Sequence, residues 1–211
     1  MTASVLRMDG CDITLPGGGV SHGVNQDWYP TYWRRTAGCG PCTASNMLRY
    51  WRERLALSLP TDGREQMIRL MEKTWGYVTP GVFGLNSPLR FQEGMDQLLE
   101  DLGSDMRCRV LLVPKSADER PALSEVAVFL QEGLEQDSPV AFLNLHNGTL
   151  SHLERWHWIT LLSVEHTEGH LVAHGVDNGN RLTVDLAEWL KSSTLGGGFV
   201  SCGPQGGDDG R

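Results

Sequence analysis

Hydrophobic residues recur with a helical period through most of the first 135 positions. After Gly38, the residues Ala44, Leu48, Trp51 and Leu55 are spaced at i, i+4, i+7 and i+11, which predicts a helix with one face towards the core. Similar stripes predict three further helices, and a buried strand is predicted between the last two of them. These segments begin near Thr61, at Ser87, at Arg107 (the strand) and at Pro121.

From residue 138 onwards the pattern changes to short β-favouring runs separated by turn signals such as Asn-Gly. The runs cover 138–145, 156–164, 169–176, 181–184 and 198–201, with a short helix predicted over 186–191. Helices followed by strands within one domain are typical of the α+β class. We therefore predict one α+β domain in which a helix starting near Pro41 packs on an antiparallel sheet built from residues 138 to 202.

The length of 211 residues suits one well-buried domain. Residues 1–26 lack apolar periodicity, so we interpret them as an N-terminal arm with one short strand over 4–8. Residues 27–202 are predicted to be the single domain, and 203–211, rich in Gly and Asp, a disordered tail.

Charge and composition narrow the classes of partner. The formal net charge is −8, and Arg34-Arg35 is the longest basic run, which argues against nucleic acid or an anionic membrane as a partner. The sequence shows neither a secretory signal nor an apolar run of about 18 residues. We expect a cytoplasmic protein that acts on a peptide or small molecule.

The cysteines point to thiol chemistry. Five cysteines are an odd and sparse set, which argues against a disulfide framework and leaves at least one thiol free. Cys39 and Cys42 stand at the predicted helix entry, where Gly38, Gly40 and Pro41 favour a sharp turn into a first helical turn. Free N–H groups and the helix dipole at such an entry stabilise a thiolate, so we expect a reactive cysteine.

A thiolate nucleophile needs a base, which is usually a histidine oriented by a third polar side chain. His157 is the candidate base because it begins a long apolar strand, whereas the other histidines lie in loops or near turns. Asp177 ends the next β-favouring run and can accept the imidazole N–H. Asn178 can do so as well, and Asp-Asn-Gly is also an ordinary hairpin signal.

These motifs, namely Cys39-Gly40-Pro41, then Trp156-His157-Trp158, then Asp177 with Gly179, resemble the papain-like cysteine peptidase superfamily. The branch that the chain resembles most contains the bacteriocin-leader-processing (double-glycine) peptidases of peptide exporters and their bacterial relatives. The resemblance covers roughly residues 30 to 200. It implies a papain-like fold and hydrolysis of a peptide or related amide bond through a Cys-His-Asp triad and an acyl-enzyme, without a metal or other cofactor.

The resemblance implies Cys39 as nucleophile, because in that branch the nucleophile is the Cys of the Cys-Gly-Pro step. The plant-type pattern Cys-Gly-x-Cys-x-Ala would place it at Cys42 instead. Those peptidases carry an oxyanion-binding Gln six residues before the nucleophile, where this chain has Trp33 for Cys39 and Thr36 for Cys42. The predicted triad is therefore Cys39, His157 and Asp177. We expect an oxyanion hole of backbone N–H groups and one further donor, for which Asn46 is a candidate helper.

Three other functions fit parts of the sequence. Cys39-Gly40-Pro41-Cys42 is also the dithiol sequence of thioredoxin-like oxidoreductases, but that motif should follow a buried strand, and residues 27–38 contain no apolar run. A zinc site could use the same two cysteines with two histidines, although there is no second Cys-x-x-Cys. A papain-like fold that binds peptides without turnover would explain the missing Gln.

Overall fold

A computed structural model describes residues 2–56 and 63–204. The helices are α1 (Tyr32–Ala37), α2 (Cys39–Tyr50), α3 (Arg64–Trp75), α4 (Pro88–Asp101), α5 (Leu123–Glu135) and α6 (Leu186–Ser192). The strands are β1 (Thr2–Val5), β2 (Asp12–Thr14), β3 (Val20–His22), β4 (Met106–Val113), β5 (Val140–Asn144), β6 (His157–Thr167), β7 (His170–Asp177), β8 (Asn180–Asp185) and β9 (Gly197–Pro204). Helices beside an antiparallel sheet confirm the predicted α+β class.

The described residues form a seven-stranded sheet in the order β4-β9-β5-β6-β7-β8, and each described pairing within it is antiparallel. Strand β6 lies at its centre: β7 pairs along one side, while β5 and then β1 pair along the other. The prediction that the sheet consists of residues 138 to 202 is wrong in this respect. Both β1 and β4, from the first half of the chain, belong to it.

Helices cover both faces of the sheet. Trp158 of β6 stacks on Phe91 of α4, with ring centroids 4.4 Å apart, so α4 covers the face on which Trp158 lies. Phe142 of β5 is the register partner of Ile159, the residue after Trp158, and it packs edge-on against Trp189 of α6 at 4.7 Å. Because side chains alternate along a strand, α6 lies on the opposite face from α4.

Helix α2 begins at Cys39, two residues before the predicted start. Its first described helical hydrogen bond runs from Cys42 N to Gly38 O (2.9 Å). Gly38 separates α2 from α1, and a Cβ there would lie 2.4 Å from Arg34 O, so only glycine fits this junction. The helix ends at Tyr50, although the apolar stripe continued to Leu55. Every residue of α2 is buried.

The N-terminal arm differs from the prediction. Its first strand covers Thr2–Val5 rather than 4–8, and β2 and β3 form a separate antiparallel hairpin. Cys11, Ile13 and Val24 are buried in the main hydrophobic core. The arm is therefore part of the folded unit.

Two cysteines form a disulfide, which the odd and sparse set of cysteines did not predict. Cys108 of β4 and Cys202 of β9 are direct register partners and are bonded to each other. Cys11, Cys39 and Cys42 are free thiols. This agrees with the prediction, from the odd number of cysteines, that at least one thiol is free. Gly203 and Pro204, placed in the predicted tail, belong to β9, and the rest of that tail lies outside the described residues.

Residues 2–56 and 63–204 contain no helix that combines the length and the apolar character needed to cross a bilayer.

Candidate active site

The structure brings the three predicted site residues together at one end of the sheet. Cys39 is the first residue of α2, His157 the first of β6 and Asp177 the last of β7. The antiparallel pairing of β6 with β7 places the start of one strand beside the end of the other. Helix α2 packs on β6, which directs the helix start towards His157.

His157 is held by Asp177 through one ring nitrogen. Its Nε2 lies 2.8 Å from Asp177 Oδ1, and because an ionised carboxylate only accepts, Nε2 carries the donated hydrogen. Burial disfavours the charged ring and lowers its pKa, but hydrogen bonds and charges from Asp177 and Cys39 outweigh it and raise the pKa of His157 well above its usual value. The imidazolium form is thus favoured.

The two cysteines of the Cys-Gly-Pro-Cys stretch have different surroundings. Cys39 interacts with His157, and its Sγ also lies 3.9 Å from the carbonyl oxygen of Trp156. Burial raises the pKa of Cys42 well above its usual value, and the negative charges of Cys39 and Asp177 raise it further. Of the two thiols, Cys39 has the base, and Cys42 is held in the protonated form.

Asn178, the alternative third residue, is used elsewhere. It adopts a left-handed backbone conformation (φ 46°), and its Oδ1 accepts a hydrogen bond from Gln26 N (3.2 Å). Its carbonyl accepts another from Asn25 Nδ2 (3.0 Å). These contacts fix the turn after Asp177 and thereby the carboxylate that faces His157.

Asn46, which the sequence suggested as a helper in binding the oxyanion, is buried, and both ends of its side-chain amide form hydrogen bonds within the protein. Its Oδ1 accepts from Val24 N (2.9 Å), and its Nδ2 donates to Thr160 Oγ1 (3.1 Å). Both ends of the amide are therefore occupied, and the side chain joins α2 to β6 and to the N-terminal arm.

Neither residue at the two positions where an oxyanion-binding glutamine was expected faces the site with a free amide. Thr36 Oγ1 donates to Tyr32 O in the preceding turn of α1 (3.0 Å), and the Trp33 side chain lies on α1 half-exposed. Gln26 does not lie six residues before either cysteine. Its Nε2 donates a hydrogen bond to Arg35 O, and its buried Oε1 has no hydrogen-bond partner.

The sequence did not predict the roles of two residues in the turn before β6. Trp156 has a positive φ of 57°, a conformation that costs energy for a bulky side chain, and this turns its carbonyl towards Cys39. Glu154 Oε2 lies 3.5 Å from His157 Nδ1, whereas Asp177 contacts the other ring nitrogen, Nε2. The motif that contains Trp156 does not report its backbone conformation, and no local pattern marks Glu154, since both features depend on how the turn enters the strand.

Exposed apolar side chains occur on α1, in a loop before α4 and in the turn before β6. Tyr32 and Trp33 lie on α1, Val82 and Phe83 form the tip of a tight loop between Gly81 and Gly84, and Trp156 precedes His157. Leu85, the residue after this loop, packs against the start of α2. The packing is so close that a Cβ atom added to Gly40 would lie 2.7 Å from Leu85 Cδ2. Trp156 and the loop that leads to Leu85 thus bring accessible apolar surface close to the start of α2.

Within the described residues, no group of three or more His, Cys, Asp and Glu side chains is arranged to hold a metal ion. Neither a model of a known protein family nor a curated protein matches the chain.

Proposed function

We propose that the protein is a papain-like cysteine peptidase or amidohydrolase that uses Cys39 as nucleophile, His157 as base and Asp177 as the orienting residue. The observation that carries the proposal is the arrangement of a helix-start cysteine, a buried histidine whose pKa this cysteine helps to raise, and a carboxylate 2.8 Å from Nε2 of that histidine. The same roles define thiol hydrolases in general.

In this mechanism the proton of the Cys39 thiol is held by His157 Nδ1, and Asp177 stabilises the resulting imidazolium. The thiolate attacks the carbonyl carbon of the scissile amide. His157 then gives its proton to the leaving amine, which departs and leaves a thioester on Cys39. A water molecule, deprotonated by His157, attacks the thioester and releases the acid.

The negative oxygen of the tetrahedral intermediate needs hydrogen-bond donors. The first N–H groups of a helix have no partner within the helix, and at the start of α2 these belong to Cys39 and Gly40, since Pro41 has none. The positive end of the helix dipole adds to their effect. The helix start thus supports both the thiolate and the oxyanion.

The surroundings of the site support a peptide or small amide as substrate. Exposed Tyr32, Trp33, Val82, Phe83 and Trp156 offer contacts for apolar side chains of an extended peptide. A strongly anionic polymer is disfavoured by the net charge of −8.

The dithiol oxidoreductase alternative has less support. The Cys-Gly-Pro-Cys stretch follows α1 and a single glycine rather than a strand, and Cys42 is buried with a raised pKa. Peptide binding without turnover has one specific observation in its favour, because neither Trp33 nor Thr36 can act as the oxyanion-binding amide.

The test compares Cys39→Ala, His157→Ala and Cys42→Ser against the unchanged protein, using a fluorogenic peptide library and insulin-disulfide reduction. We expect Cys39→Ala and His157→Ala to abolish hydrolysis, a loss of at least about 10³-fold, and Cys42→Ser to keep most of it. Mass spectrometry of rapidly quenched reactions should show an acyl adduct on Cys39.

Disulfide reduction that needs both cysteines, with no adduct on Cys39, would replace the proposal by the oxidoreductase alternative. Specific peptide binding that survives Cys39→Ala, with no turnover of any library member by the unchanged protein, would replace it by the binding alternative.

A further inference from the structure

The carboxylate of Glu154 is placed at the reacting face of the site. Its Oε2 lies 3.5 Å from His157 Nδ1, the ring nitrogen left free by Asp177. The Glu154 side chain is 69% exposed, whereas the His157 side chain is 5% exposed. A molecule that approaches Cys39 from solvent therefore meets this carboxylate.

The backbone around Glu154 is firmly anchored. Its carbonyl accepts a 2.6 Å hydrogen bond from Asn144 Nδ2, a buried side chain of β5. Leu153, the preceding residue, is buried in the core. The following Arg155 donates from Nε to Asn147 Oδ1 (2.9 Å). The carboxylate thus projects from a fixed point, while its oxygens stay accessible.

The charges around Cys39 are unbalanced. A Cys39 thiolate and a His157 imidazolium cancel as a unit, so these two groups together with Asp177 and Glu154 carry a net negative charge. Asp177 is committed to His157 Nε2. Within the described residues, His157 is the cationic group that Glu154 approaches to ion-pair distance. The Glu154 carboxylate can therefore interact with a cation on a bound molecule.

We propose that Glu154 is a specificity-determining residue that favours substrates with a positively charged group beside the scissile bond, such as a basic side chain. This inference rests on the proposed function, since it assumes that Cys39 reacts. Two unit charges about 5 Å apart in a water-exposed site attract enough to change a rate or affinity about fivefold. An exposed interaction of this kind weakens in salt.

Small thiol reagents of different charge test the inference without a known substrate. Methanethiosulfonates transfer a thioalkyl group to a thiolate, forming a disulfide and releasing methanesulfinate. We would measure second-order rates at Cys39 by mass spectrometry at pH 7 for the cationic aminoethyl reagent and the neutral methyl reagent. The ratio of the two rates removes any change in the intrinsic reactivity of Cys39.

We expect Glu154→Gln to lower the cationic-to-neutral ratio about fivefold, and Glu154→Lys to lower it further. The matched control is Glu132→Gln, because Glu132 lies on α5, is similarly exposed and pairs with Arg109 (2.8 Å). This control should leave the ratio unchanged, and 1 M salt should bring the unchanged protein close to Glu154→Gln.

Equal ratios in the unchanged protein, Glu154→Gln and Glu154→Lys would overturn the inference while leaving the proposed function intact. If Cys39 reacts with both reagents no faster than the buried Cys11 does, the result would instead count against the proposed function.

Discussion

At the scale of single residues, the raised pKa of His157 links the site to the pH dependence of stability. A group whose pKa is higher in the folded than in the unfolded protein contributes stability that is fully present below the unfolded value, about 6.5 for histidine. That contribution is lost as the pH rises through the folded pKa. The protein should therefore lose stability as the pH rises above about 6.5.

Asp177→Asn should reduce this effect, because it removes the carboxylate that stabilises the imidazolium. We expect the free energy of unfolding at pH 6 to fall by about 1–3 kcal/mol, and its decline above pH 6.5 to become shallower. The measurement is urea denaturation from pH 5.5 to 9, performed in a Cys39→Ala background so that the comparison is confined to Asp177 and His157.

Asp105→Asn is a suitable control, since this exposed residue precedes β4 and removes the same charge. If Asp177→Asn and Asp105→Asn show the same slope with pH, Asp177 does not raise the pKa of His157.

At the scale of elements, the buried Asn46–Thr160 contact fastens the helix that carries Cys39 to the strand that begins at His157. Asn46→Ala leaves Val24 N–H and the Thr160 hydroxyl without their partner and should cost about 2–4 kcal/mol. Thr160→Val should cost about 1–2 kcal/mol, and the double variant clearly less than the sum, because the two changes remove one shared hydrogen bond. Urea denaturation of all four proteins provides the cycle, and strict additivity would contradict a direct Asn46–Thr160 interaction.

Local periodicity predicted most elements but not their partners. The α4 start at Pro88, with Ser87 Oγ accepting from Arg90 N (3.4 Å), follows from sequence signals, and so does the strand at His157. The short helix α1 was missed because its six residues carry no apolar stripe. The pairing of β1 with β6 was missed because long-range contacts determine which strands meet.

The same distinction applies to the candidate site. The positions of Cys39, His157 and Asp177 were suggested by residue type and by their places at element ends. The position of Glu154 was not suggested by the sequence. Its carboxylate lies near His157 because Trp156, between them, has a left-handed backbone conformation, and hydrophobic periodicity does not predict such a conformation.

At the scale of the whole molecule, the Cys108–Cys202 disulfide closes a loop across 94 residues. In the chain-entropy account, a loop of this size stabilises the fold by about 3–5 kcal/mol through the unfolded state. Replacing both cysteines by alanine should lower the free energy of unfolding by about that amount, measured by urea denaturation without reductant.

Cys11→Ala is the matched control, because Cys11 is a free, fully buried thiol, and burial raises its pKa to about 12. A stability loss no larger than that of Cys11→Ala, or five alkylatable thiols in the denatured, unreduced protein, would contradict a stabilising disulfide.

The position of β9 has a consequence for synthesis on the ribosome. This last described strand fills the gap between β4 and β5, so a nascent chain that has not reached residue 197 leaves both strands with an open edge. Such edges are templates for pairing with other chains. Nascent chains should therefore depend on chaperones until the last strand emerges and the sheet can close.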